Sequence, residues 1–278
     1  MSGNARKFAL GLRGLVLIPA VVLLGQCDRK PVEPEPARPI PAEPASEPSP
    51  APPTTAMNRA ELLAAVAAAA SAHAAGERPE GTDPLIGRAF SIRIAFGCGG
   101  PAPEAAPTRA DGLPRANWGR DQETIALSLT PGDWKSSPLI AGAGSDWEAV
   151  EGFWIPRPWQ ATATCPPVSG RPVQDPAPAS PQTVGLAAVF SPDDSRVGRR
   201  NGRAYGFTIR QMGETPLTPR PLGYHLVLEG RLAAFPDGRA VHCGASGPDQ
   251  RPVCIAAIRL DRVAFIDAGG LLSEWRAG

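Results

Sequence analysis

The chain has 278 residues, with 28 basic and 27 acidic side chains and a formal net charge of +1 at pH 7. No sustained basic stripe interleaves with aromatics, which argues against a nucleic-acid partner. The 34 prolines and 30 glycines are too many for a helical protein and favour short strands joined by turns, plus unstructured spacer.

Arg6, Lys7 and Arg13 precede an uncharged, almost wholly apolar run over residues 15–25, and Cys27 closes the segment. This is the three-part pattern of a secretory signal, with a core too short to span a bilayer comfortably. The ending Leu24-Gly25-Gln26-Cys27 resembles the lipobox of bacterial lipoprotein precursors, with Gln26 standing where that family usually carries Gly, Ala or Ser. The resemblance covers residues 1–27 alone. It implies that residues 1–26 are a removed signal peptide and that Cys27 is acylated on sulfur. The body would then be held by lipid at the periplasmic face of a bacterial membrane. Two other readings stay open. An uncleaved N-terminal membrane anchor would place Arg13 at a costly depth, and a plain secretory peptide lacks a small-x-small cleavage site. All three deliver the body outside the cytoplasm. Without the three basic residues of the leader, 25 basic side chains face 27 acidic ones, so the remainder is near neutral.

Residues 27–56 read as a lipid-anchored, proline-rich linker, with ten prolines among residues 31–53. Proline at this density fixes φ, removes donors and disfavours helix, which predicts an extended, disordered spacer. Residues 57–76 predict an Ala-rich helix: Asn58 can cap it, Glu61 suits the reciprocal partner, and Gly76 supplies a stop. Leu62, Leu63, Val66 and Ala70 make a thin apolar stripe, and His73 falls on the solvent side.

From residue 82 to 278 the pattern predicts a mostly β domain, an antiparallel sandwich or barrel, with a proline-rich loop at 166–182. Phe90, Ile92, Ile94 and Phe96 alternate with small or polar residues, as do Ile125, Leu127 and Leu129. Residues 152–165 read as a strand confined in part to an edge by Pro156 and Pro158, and 99–121 as a turn-rich loop. Residues 183–191 predict another strand, and Asn201-Gly202 a tight hairpin leading into Tyr205, Phe207 and Ile209. Residues 224–235 predict a strand ending at Pro236-Asp237-Gly238, beside which 239–243 would return antiparallel. Residues 253–266 make the last strand, with a bend near 259–262, and 271–275 a closing helical turn.

With Cys27 assigned to lipid, Cys98, Cys165, Cys243 and Cys254 remain, an even number suited to two disulfides in an oxidising compartment. Of three pairings, the expected one joins Cys98 to Cys165 and Cys243 to Cys254, each within one half of the domain. A metal site using His242, Cys243, Cys254 and His225 is the alternative; its spacing matches no common zinc pattern. Five tryptophans, Trp118, Trp134, Trp147, Trp154 and Trp159, offer either core packing or a ligand platform for sugar rings. Arg196, Arg199, Arg200 and Arg203 cluster at the Asn-Gly turn, either as a solvated tip or as contacts to an anionic surface. Asp193 and Asp194 alone fall short of a calcium site.

No nucleophile elbow, zincin motif, phosphate loop or dinucleotide pattern occurs, and no cofactor is implied. The expected role is therefore non-catalytic: an envelope-anchored binding or accessory module, its partners the membrane and an envelope glycan or protein. The alternative is a membrane-tethered periplasmic hydrolase acting on glycan or peptide, with His225 or His242 near Asp237 and a serine.

Overall fold

The computed structural model describes residues 55–277, apart from 78–79, 105–108, 142–146, 168–179, 193–197, 212 and 214. The leader, Cys27, the spacer, Asp193, Asp194 and Arg196 lie outside the described residues, as does most of the 166–182 loop. The elements are α1 (Arg59–Ala74), β1 (Ala89–Phe96), β2 (Arg115–Trp118), β3 (Thr124–Leu129), β4 (Gly132–Asp133), α2 (Pro138–Ala141), β5 (Ala149–Trp154), β6 (Val184–Phe190), β7 (Tyr205–Arg210), β8 (Tyr224–Leu232), β9 (Val241–Gly244), β10 (Val253–Asp267) and β11 (Gly270–Arg276).

Local chemistry fixes α1 at both ends. The Asn58 side chain accepts from Glu61 N while the Glu61 carboxylate accepts from Asn58 N, a complete capping box. At the other end Glu77 N donates to Ala72 O and Gly76 N to His73 O, the paired bonds of a Schellman stop, with Gly76 at φ 69. Leu62, Leu63 and Val66 are buried and Ala70 packs beside them, so the helix lies on the domain instead of standing as a stalk. Met57, just before it, bonds to both Ala89 and Ser91 and so covers the edge of β1. Arg59 is only 6% exposed and straps α1 to the chain after β5, donating to the carbonyls of Pro156 (2.8 Å), Arg157 (3.0 Å) and Gln160 (3.1 Å). Burial, aided by the charge of Arg157, lowers its pKa to about 10.

The large sheet runs β1-β8-β10-β6-β5-β4, with β9 and β11 also on β10; a small sheet runs β2-β3-β7. The two ends of the large sheet do not pair, so the architecture is an open, sandwich-like pair of sheets and not a barrel. Ile125, Leu127 and Leu129 of the small sheet share one core with Ile92 and Ile94 of β1, Leu226 and Leu228 of β8, and Leu62 and Val66 of α1. Behind the large sheet lies a second core: Ala187 and Val189 of β6 and Ile255 and Ala257 of β10 meet Trp134, Ile140 and Phe235 there. Alternate residues of β6 and β10 thus feed opposite cores, which explains their unbroken apolar runs.

Several expectations are corrected. The large sheet is mixed, because β6 and β10 pair in parallel from Cys254↔Val184 to Ile258↔Ala188. The run 152–165 stops being strand at Trp154, and the span 99–121 contains β2. Residues 270–276 form β11, antiparallel to β10, where a helical turn was expected. The Asn-Gly turn forms, but β7 leaves it to pair with β3, so it closes no hairpin. The Pro-Asp-Gly turn also forms without a hairpin: Ala233 N donates to Ala257 O, and Ala257 N to Ala240 O. The chain loops out over 234–239 and rejoins the same side of β10 as β9, in line with β8. The anticipated bend in β10 is a register shift between Leu260 and Arg262. Opposite it, a Cβ on Gly230 would fall 2.1 Å from Arg259 O, so only glycine fits there.

Both expected disulfides are present. Cys98–Cys165 ties the end of β1 to the loop after β5, and Cys243–Cys254 joins direct register partners of β9 and β10, with Cα atoms 4.1 Å apart.

Candidate functional site

Two concavities bear on function. The first is a cleft of about 350 Å³ where the turn 198–203, the bulge of β10 and the end of β11 meet, lined by Arg199, Arg200, Arg203, Arg262 and Arg276 among others. In the turn, Arg203 N donates to Arg200 O while Asn201 (φ 53) and Gly202 (φ 77) both take the left-handed region, the geometry of a type I′ turn. Glu151 of β5, 7% exposed, holds the turn from below: its Oε1 accepts from Arg200 N (2.7 Å) and Asn201 N (2.8 Å). Burial pushes the Glu151 carboxyl above its ordinary range, and those N–H groups and the charges of Arg199 and Arg200 oppose the shift. Tyr205 anchors the other side. Its hydroxyl donates to Gly198 O (3.3 Å), and the Arg200 guanidinium lies 4.6 Å from its ring centroid. Burial and the nearby Glu151 drive its phenol upward.

The five guanidiniums are not equally committed. Arg199 pairs with Glu148 at 3.0 Å, and its buried Nε has no partner among the described residues. Arg262 pairs with Glu229 and Glu274, and Arg276 with Glu274. Bonding to Glu274 raises the Arg262 pKa, and Glu274 is held below its usual range by Arg262 and Arg276. Arg200 instead donates to the carbonyls of Arg203 and Ala204, and Arg203 to that of Arg200. Among the described residues neither has a carboxylate in bonding range, so both charges stay available. Asp261, the unpaired residue of the β10 bulge, is the one carboxylate among the described residues of the lining.

The second concavity is a groove of about 910 Å³ between α1 and β9. Ala65, Ala68, Ala69 and Ala72 pave one wall; Asp237, Arg239 and His242 stand on the other. His242 Nε2 lies 3.2 Å from Asp237, its Nδ1 3.3 Å from Leu139 O, and its ring stacks on Phe235 at 5.0 Å. Cys243, also in the lining, is bonded to Cys254, which takes both thiols away from the metal alternative. His225, across the domain, sits 2.8 Å from Ala163 O. Among the described residues no group of three or more His, Cys, Asp or Glu is arranged to hold a metal ion.

Four of the five tryptophans divide between the two cores. Trp118 packs against the main one; Trp134, Trp147 and Trp154 belong to the second. Trp134 lies 4.6 Å from Trp154 and so close over Gly152 that a Cβ there would fall 1.9 Å from the indole. Trp147 meets Phe235 at 5.5 Å. Trp159 is 63% exposed. The turn arginines were visible in the sequence as a cluster. Arg262, Arg276, Asp261 and Trp275 were not, because only the fold brings β10 and β11 to that turn. The chain matches no protein-family model, no curated protein and no solved structure.

Proposed function

We propose that this chain is a non-catalytic lipoprotein of the cell envelope, held to a membrane by lipid on Cys27, whose β domain binds an anionic envelope component through the arginine cleft. The observation that carries the reading is the pair Arg200 and Arg203. They are bonded to backbone carbonyls and directed to a cleft shared with three further guanidiniums. Charges of this kind attract phosphate or carboxylate oxygens, and the attraction between exposed groups weakens as salt rises. The test uses the full chain with Cys27→Ser, so that lipid cannot account for association. Vesicles containing phosphatidylglycerol should retain it at low salt and release it as salt is raised, and Arg200→Ala with Arg203→Ala should abolish retention. Salt-independent retention, or none, excludes an anionic lipid surface as that component, and failure to bind any soluble polyanion as well returns these arginines to the role of a solvated turn.

A tethered hydrolase is the second reading, and the His242–Asp237 contact at the alanine-paved groove favours it. An imidazole oriented by a carboxylate can act as a general base toward water. Hydrolysis of envelope glycan or peptide that is lost in His242→Ala, with the fold intact, would support this reading over the first.

A further inference from the structure

We propose that the arginine cleft takes a saccharide carrying negative charge, with Asp261 reading its hydroxyl groups. The inference rests on the cleft being an anion site and names the ligand class. Three kinds of group face one concavity. Arg200 and Arg203 bring charge without a carboxylate in bonding range among the described residues. Trp275, half-buried, meets Tyr205 at 5.2 Å and Phe265 at 5.5 Å and presents the remainder of its indole to the lining. Asp261 is exposed, and its carboxylate accepts no hydrogen bond from the described residues. Its carbonyl, by contrast, takes Ala277 N at 3.0 Å and holds the backbone in place.

Asp261 decides the class. A carboxylate beside an anion site weakens binding of a simple anion by like-charge repulsion. It helps only when the ligand also brings donors, since an ionised carboxylate can only accept hydrogen bonds. Sugar hydroxyls are such donors, and the C–H face of a sugar ring suits an indole. A volume of about 350 Å³ lies at the low end of small-ligand clefts, roughly 300–1,000 Å³, and exceeds the needs of a bare ion. The same chemistry is offered by a soluble sugar acid and by a unit of an anionic glycan.

Titration of the full chain carrying Cys27→Ser with an oligouronate, a neutral glucan of equal length, and tripolyphosphate tests the proposal. The oligouronate should bind at least tenfold more tightly than the glucan. Asp261→Asn should weaken the oligouronate about tenfold while leaving tripolyphosphate unchanged or tighter, and Asp261→Ala should repeat the pattern. Each variant should melt like its parent. Glucuronic acid showing the same loss identifies a soluble sugar acid; loss with the oligomer alone identifies a polymer. If tripolyphosphate binds but Asp261→Asn does not weaken the oligouronate, the saccharide inference is overturned and the anion site stands. If no anion binds, both fall.

Discussion

Glu151 is buried, and one oxygen of its carboxylate accepts from two backbone N–H groups of the arginine turn. Removing it leaves those donors unsatisfied, which costs about 1–3 kcal/mol for each buried group. Its titration has a definite sign. Burial raises the folded-state pKa above the unfolded value, so the ionised form costs stability at neutral pH. That cost disappears as pH falls through the raised value. Glu151→Gln has no such titration. The stability difference between parent and variant should therefore shift in favour of the parent as pH is lowered from 7 into the ordinary carboxylate range. Urea melts at several pH values read this directly, and a difference that does not change with pH would refute it. At the same scale Asp261 and Arg203 show what a bulge and a type I′ turn accomplish. Each holds the backbone through main-chain bonds and releases a side chain to the cleft.

At the scale of elements, what could be read in the sequence was what nearest neighbours decide. The capping box at Asn58 and Glu61, the alternation in β1 and β3, and the glycine stop at Gly76 are all written within a few residues of where they act. Partner choice was not so written. The pairing of β6 with β10 joins segments more than sixty residues apart, and no local period distinguishes a parallel from an antiparallel neighbour. The segment that became β11 has Leu271 beside Leu272 and so lacks alternation; its strand character comes from β10. The turn arginines were legible as half a cleft, and the other half arrives with β10 and β11. The cysteine pairing was legible because each pair bounds segments of one half. The two bridges should differ in worth. With sequence separations of 67 and 11, chain entropy assigns roughly 4 kcal/mol to Cys98–Cys165 and roughly 3 kcal/mol to Cys243–Cys254. Denaturant midpoints of the two double-serine variants should fall in that order. Peptide mapping of the non-reduced protein should recover the two pairs as linked peptides, and a Cys98–Cys243 link would overturn the assignment.

For the molecule as a whole, anchoring is tested separately from binding. Cys27→Ser should abolish lipid labelling and block processing of the leader; normal labelling of that variant would sink the lipoprotein reading. The domain itself is organised around β10, which carries β6 and β11 along one side and β8 and β9 along the other. That strand begins at Val253, after nearly all of its neighbours have left the ribosome. Until it emerges, β6, β8 and β9 have no partner for the edges they present to β10, and the two cores on either face of the large sheet cannot close. A chain that stops short of β10 would therefore expose unpaired strand edges and two unclosed cores, a state that invites aggregation. Truncation just before Val253 should turn a transient liability into a permanent one.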